Sequence, residues 1–407
     1  MKRKIQALIP WQAEKSPSDQ AQNPYYERVS ERLGVFQVIL YFSLFAFVVL
    51  SFFSNTELIT YQNFYRFFKD LNASVEGVDV INTDSVSYPT DTEQSFTLYR
   101  NGLAVAGNHS VTIFTAAGRQ TVSKTVSYQH PVAVGTGKYL LVYELGGVKY
   151  SLYNSYTQVY AGETAYPISG AAVSDSGMYA LISSSAQYVS EVYLYNDNFT
   201  LINRYARSGY VTDVAINEKG TLLALLTSDT HDGVFSTEVA LCEPGEREFK
   251  ATADVGTAIG LSCVFTEGNT LSVLTAEGVY ALNQNGRVLR SHSFDGLTLA
   301  CASCTADGIT VALRDSVMST EDTVILFSKD GRLLFKERFA EGTTQISRSG
   351  STAFLLSSDG IRAVRGGNGT SSFYPTQVGA KIMLAIGRDE VLLCTAKKAE
   401  YVQIPLR

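Results

Sequence analysis

Three patterns of apolar and polar residues follow one another along the chain. Residues 33–56 hold no charged side chain, and the run GVFQVILYFSLFAFVVLSFF within them is apolar almost throughout. About 20 residues at about 1.5 Å of helical rise span about 30 Å, the thickness of a bilayer's hydrocarbon. A buried core helix of that length would keep polar positions on a water-facing side, and this run has almost none. A cleaved signal peptide fits no better, because the leading segment is long and FFSNTELIT offers no small-residue cleavage site. A transmembrane anchor over residues 34–53 is the expectation. Lys2, Arg3, Lys4, Lys15, Arg28 and Arg32 precede it, and only Arg66 and Lys69 follow closely. That asymmetry predicts a cytoplasmic tail over residues 1–33, polar and Pro-punctuated, with everything after the span outside the cytoplasm.

The second pattern is helical. Ser54 and Glu57 have the spacing of a capping box, and Leu58, Tyr61, Phe64, Tyr65, Phe68 and Leu71 then recur at helical intervals. An amphipathic helix over residues 54–72 is predicted, lying in the membrane interface or beneath the domain that follows.

After residue 75 the period changes to that of strands, and the sequence repeats. VTIFTAAGRQTVSKT, VYALNQNGRVLRSHS and VILFSKDGRLLFKER each read as an alternating strand, a polar turn ending in Gly-Arg, and a second strand. Gly supplies the positive φ that such a turn demands. Gly118 and Gly286 stand 168 residues apart, four steps of 42, and Gly286 and Gly331 stand 45 apart. A second signature precedes these, an apolar strand ending in a turn and followed by L-x-x-L, as in VTDVAINEKGTLLALLTS and CASCTADGITVALRD. Four short strands in about 40 residues describe one blade of a β-propeller.

Eight inner strands are counted, near residues 95–100, 131–136, 168–174, 210–217, 258–265, 297–304, 343–348 and 381–387. Eight blades are therefore predicted over residues 75–407, and seven only if an irregular repeat is misread. The last blade runs out of chain before its outer strand, while a spare strand at residues 77–83 precedes the first blade. The two ends are expected to complete one blade together, since an open ring would expose a sheet edge. The fold class is all-β.

These repeats resemble WD40-like and quinoprotein-like propellers, whose inner strand also runs into an Asp-Gly turn. The Trp-Asp dipeptide of true WD40 repeats is absent, the single Trp being Trp11. Taken whole, the chain resembles an uncharacterised bacterial family of single-pass, membrane-anchored β-propeller proteins. That resemblance implies an exported propeller and brings no catalytic residues with it.

Composition narrows the chemistry. Charged residues make up 18%, below the roughly one quarter of a typical soluble domain. Residues 1–34 carry six Lys/Arg against four Asp/Glu, so the net −6 of the chain leaves −8 on the remainder. An acidic domain without a basic stripe argues against nucleic acid as a partner. The five Cys imply no disulfide framework. Cys301 and Cys304 form a CxxC, but residues three apart on a strand face opposite ways and cannot easily share a metal. His109, His130, His231 and His292 have no second ligand at metal spacing and read as turn or surface residues. Quinoprotein propellers stack their cofactor on a Trp floor, and this domain has no Trp, so no cofactor is expected.

Thirteen of the 24 Tyr fall between Tyr139 and Tyr210. The bland account is strand residues half-buried between sheets. The functional account is a binding patch, with Tyr153, Tyr156, Tyr160 and Tyr166 as its candidate residues. A non-catalytic interaction scaffold in the cell envelope, recruiting another envelope protein, is the leading expectation. A sensor of glycan or cell-wall fragments through the Tyr face is the alternative, and an envelope hydrolase with carboxylates converging from different blades is a third.

Overall fold

The computed structural model describes residues 85–404 apart from 267, 368 and 376–378, together with residues 33, 36–43 and 45. The backbone divides into two units, Met1–Gly77 and Val78–Arg407. In the first, the described residues are helical; residues 36–43 and 45 lie within the predicted anchor, and residue 33 ends the predicted tail. Their apolar side chains are open, Phe36 at 64%, Leu40 at 57% and Phe42 at 72% of full exposure. Among the described residues no helix is long and apolar enough to cross a membrane. The tail before residue 33, most of the anchor, the helix at 54–72 and the strand at 77–83 lie outside the described residues.

The second unit is an eight-bladed β-propeller. Each blade is a four-stranded antiparallel sheet. Inner strands open at Gln94, Pro131, Ile168, Tyr210, Gly260, Thr298, Gln345 and Ile382, one for each inner strand predicted from sequence. The eighth blade combines Ile382–Ala385, Glu390–Cys394 and Lys398–Gln403 with Ser85–Ser87 as its outer strand. Ser85, Val86 and Ser87 pair with Glu400, Ala399 and Lys398. The latch is as expected in kind, and its strand is Ser85–Ser87.

Burial explains the pattern within each blade. A middle strand has neighbouring blades on both its faces, so Tyr179–Ser183, Leu271–Thr275 and Thr352–Leu356 are buried at every position. Such strands read as unbroken apolar runs. An outer strand such as Ser371–Pro375 has one open face and alternates between exposed and half-buried positions. The core is accordingly divided into eight apolar clusters, each between successive blades. The one joining the chain ends packs Val86, Leu392 and Cys394 of blade 8 against Phe96, Leu103 and Phe114 of blade 1.

The Gly-Arg turns do more than reverse the chain. Gly286 and Gly331 have φ of 75° and 76°. A Cβ on Gly331 would stand 2.7 Å from the Cβ of Ala281 in the preceding blade. We expect Gly331→Ala to cost about 1 kcal/mol through φ and about 1–3 kcal/mol more through overpacking. Thermal unfolding of the variant measures this; a loss below the φ contribution alone would show that the blades separate freely there.

Candidate functional site

The antiparallel blades give the ring two unlike faces. Turns joining first to second and third to fourth strands line one, here termed the turn face. Segments joining second to third strands, and each blade to the next, line the other, the crossover face.

The four candidate tyrosines do not make one surface. Tyr153 ends the third strand of blade 2, is fully buried, and accepts a hydrogen bond from Ser151 Oγ at 3.1 Å. The expectation that it contacts a ligand is corrected: its ring fills the cluster between blades 1 and 2. Tyr156 lies half-buried in a turn of the turn face. Tyr160, on the outer strand of blade 2, stacks on Phe199 of blade 3 with centroids 4.7 Å apart. Tyr166 sits in the segment joining blades 2 and 3, on the crossover face, and is 37% exposed. The tyrosine-rich stretch mostly builds a joint. Tyr179 and Tyr195 stack at 4.7 Å, and Tyr150 leans on both, its hydroxyl 3.5 Å from that of Tyr179. Burial drives the Tyr150 phenol well above its ordinary value.

Tyr166 opens a cleft of about 410 Å³ between blades 2 and 3, with Tyr193, Tyr195, Glu163, Glu191 and Arg204. Tyr193 donates to Glu191 Oε2 at 2.7 Å, and the Arg204 guanidinium lies 5.3 Å from the Tyr193 ring centroid. Burial, with that carboxylate, pushes the Tyr193 phenol up to about 12. Phenol faces beside two carboxylates and a guanidinium can bind a polar ligand by stacking and hydrogen bonding.

The cysteines occupy joints between blades. Cys301 packs into the cluster between blades 6 and 7, and Cys304 into that between blades 5 and 6. The CxxC pair thus faces opposite ways, as the strand geometry predicts. Burial pushes both thiols up to about 12, so neither is an accessible thiolate at neutral pH. Among the described residues, no three His, Cys, Asp or Glu side chains converge as a metal site. His109 and His130 are exposed, as expected, and meet Asp91 and Glu93 at 2.8 and 2.7 Å. His292, half-buried on the outer strand of blade 5, packs against the Phe327 ring at 4.9 Å.

Asp213, on the inner strand of blade 4, reaches across to blade 5. Its Oδ2 accepts from Ser262 Oγ at 2.9 Å and from the Cys263 amide at 2.8 Å, and its Oδ1 from the Val214 amide. Burial nevertheless raises the carboxyl above its ordinary value of 3.8. A raised carboxyl holds its proton more tightly when folded. Its contribution is full below the ordinary value and is lost as pH rises through the raised one. Asp213→Asn should flatten that loss, and denaturant melts of both chains across the weakly acidic range test it. Identical slopes would remove Asp213 as the source.

Apolar exposure is concentrated on the crossover face. Leu145, Tyr188, Val189, Ile259, Val317 and Met318 stand in its segments, and Tyr210, Val234 and Leu261 begin strands there. Tyr210 is 71% exposed and Met318 92%. On the turn face the exposed large apolar residues among those described are Ile202, Val288, Leu289 and Leu333, where outer strands leave the turns, and none exceeds 50%. The sequence reading passed over the crossover-face residues, although apolar positions inside a polar connecting segment, such as DSVMSTE, were a usable signal.

The ring is similar in fold to several solved structures. The C-terminal WD40 domain of Sif2 has a TM-score of 0.55 at 13% identity, over 79% of this chain and 97% of that one. BamB from Moraxella catarrhalis has 0.53 at 14%, over 79% and 99%. A quinohemoprotein alcohol dehydrogenase from Pseudomonas putida HK5 has 0.54 at 10%, over 79% and 77%. At such identities the likeness is one of fold. No curated protein matches the chain. A sequence model of a family of unknown function, DUF5711, matches residues 72–404, which take in the whole described ring, and the chain belongs to that family.

Proposed function

We propose that the chain is a membrane-held, non-catalytic interaction platform whose propeller lies in the cell envelope and recruits another protein there. The β-propeller is a fold suited to protein interaction. The observation that carries the reading is the greater apolar exposure of the crossover face, which reaches 71% at Tyr210 and 92% at Met318, since large exposed apolar patches mark interaction surfaces. The uncharged run at residues 34–53, with its open apolar side chains at Phe36, Leu40 and Phe42, supports the anchor. Glycan binding is the second reading. It rests on the cleft at Tyr166 and Tyr193 rather than on the four tyrosines as a group, because Tyr153 is buried and Tyr160 is stacked between blades.

Cross-linked affinity capture of the full chain from its native membrane tests the reading. One enriched envelope protein, absent when the membrane is solubilised before cross-linking, is the expected result. Capture that yields only glycan, or nothing above background, would end it.

A further inference from the structure

The two faces of the ring differ in charge as well as in apolar exposure. The described connecting segments of the crossover face hold nine acidic residues against Lys381 and Lys397, whereas those of the turn face hold nine acidic and ten basic. Part of this charge is already matched, since Arg338 meets Asp315 at 2.6 Å and Glu321 at 2.7 Å. Over blades 4 and 5 the carboxylates Asp232, Glu277 and Asp295 stand exposed. Between them rise Tyr210, Val234, Ile259 and Leu261, each more than 40% exposed. Beside Leu261 opens a second cleft, of about 640 Å³, lined by Leu297, Leu299, Phe294 and Glu277.

From this arrangement we infer that the crossover face over blades 4 and 5 docks a basic polypeptide segment of a partner protein, one of whose apolar side chains enters the cleft at Leu261. The inference rests on the interaction reading above and gives the partner's chemistry. Apolar anchors supply the contact area, and the acidic rim selects Lys- and Arg-bearing partners while rejecting acidic ones. A second copy docking by the same face would set like charges opposite one another, which is unfavourable. Nucleic acid is repelled for the same reason.

The test uses the full chain in its native membrane, with a photoreactive benzoylphenylalanine placed singly at Tyr210 or Val234. The same probe at Asn285 or Lys329 reports the turn face. The expected result is protein adducts from Tyr210 and Val234, with the cross-linked peptide richer in Lys and Arg than in Asp and Glu. Adduct yield should fall about tenfold when Asp232→Asn, Glu277→Gln and Asp295→Asn are combined, while the thermal midpoint is unchanged. Leu261→Asp should lower it similarly. Adducts confined to Asn285 and Lys329 would overturn the inference and leave the interaction reading standing. So would an acidic partner peptide or a peptide of this same chain. Absence of any protein adduct from all four positions would overturn both.

Discussion

Val86→Asp is expected to destabilise the ring by at least about 3 kcal/mol, the scale for an unpaired charge in an apolar site. Val86 is 4% exposed and lies in the cluster that joins blade 8 to blade 1. Its strand supplies the outer edge of blade 8 through three residue pairs with Lys398, Ala399 and Glu400. Tyr88 extends the clasp, donating from its amide to Lys397 O at 3.1 Å and from its hydroxyl to Thr395 O at 2.7 Å. Losing the strand frees the edge of Lys398–Gln403 for pairing with other chains. A lowered thermal midpoint, faster amide exchange at Lys398–Gln403 and concentration-dependent association should appear together. Tyr88→Phe removes only the hydroxyl bond and should cost about 1 kcal/mol. If Val86→Asp melted like the parent, the ring would be closed by blade packing alone, and the strand would be an accessory.

The second large effect is expected between blades 6 and 7. Asp322 is fully buried on the third strand of blade 6, and Arg314 Nε donates to its Oδ1 at 2.6 Å. Arg314 also donates to Thr343 O at 2.9 Å, and the Thr343 amide donates to Asp322 Oδ2. The pair thereby holds the chain as it enters blade 7. Arg314→Met leaves the carboxylate buried with its countercharge gone, and breaking such a pair costs about 3–5 kcal/mol. Arg314→Met combined with Asp322→Asn removes the stranded charge and should lose less than the two single changes added together. Denaturant melts of the three variants give the comparison. Strict additivity would mean that the two groups act separately.

Parts of the candidate site were legible and parts were not, for a common reason. The inner strands that flank Tyr153, Tyr156, Tyr160 and Tyr166, near residues 131–136 and 168–174, were placed well, since apolar alternation is a local signal. Which of these tyrosines meets solvent was not. On the outer strand, Tyr160 looks outward by alternation, yet Phe199 from the next blade covers it. Asp213 carries no motif, and its importance comes from the Cys263 amide 50 residues away. The asymmetry of the two faces was equally hidden, because the segments that compose each are separated by whole blades in the chain.

The sequence by itself determined the all-β class, the eight blades and the closure of the last blade by both chain ends. Those properties follow from the period of apolar residues, from glycines at turns needing positive φ, and from the number of strands left unpaired. Only the tertiary structure decided which residues are buried between blades, which carboxylates are paired, and which face carries more open apolar side chains. Such properties depend on what the neighbouring blade brings to each position, and that neighbour lies about 40 residues away for most blades and a full ring away at the seam.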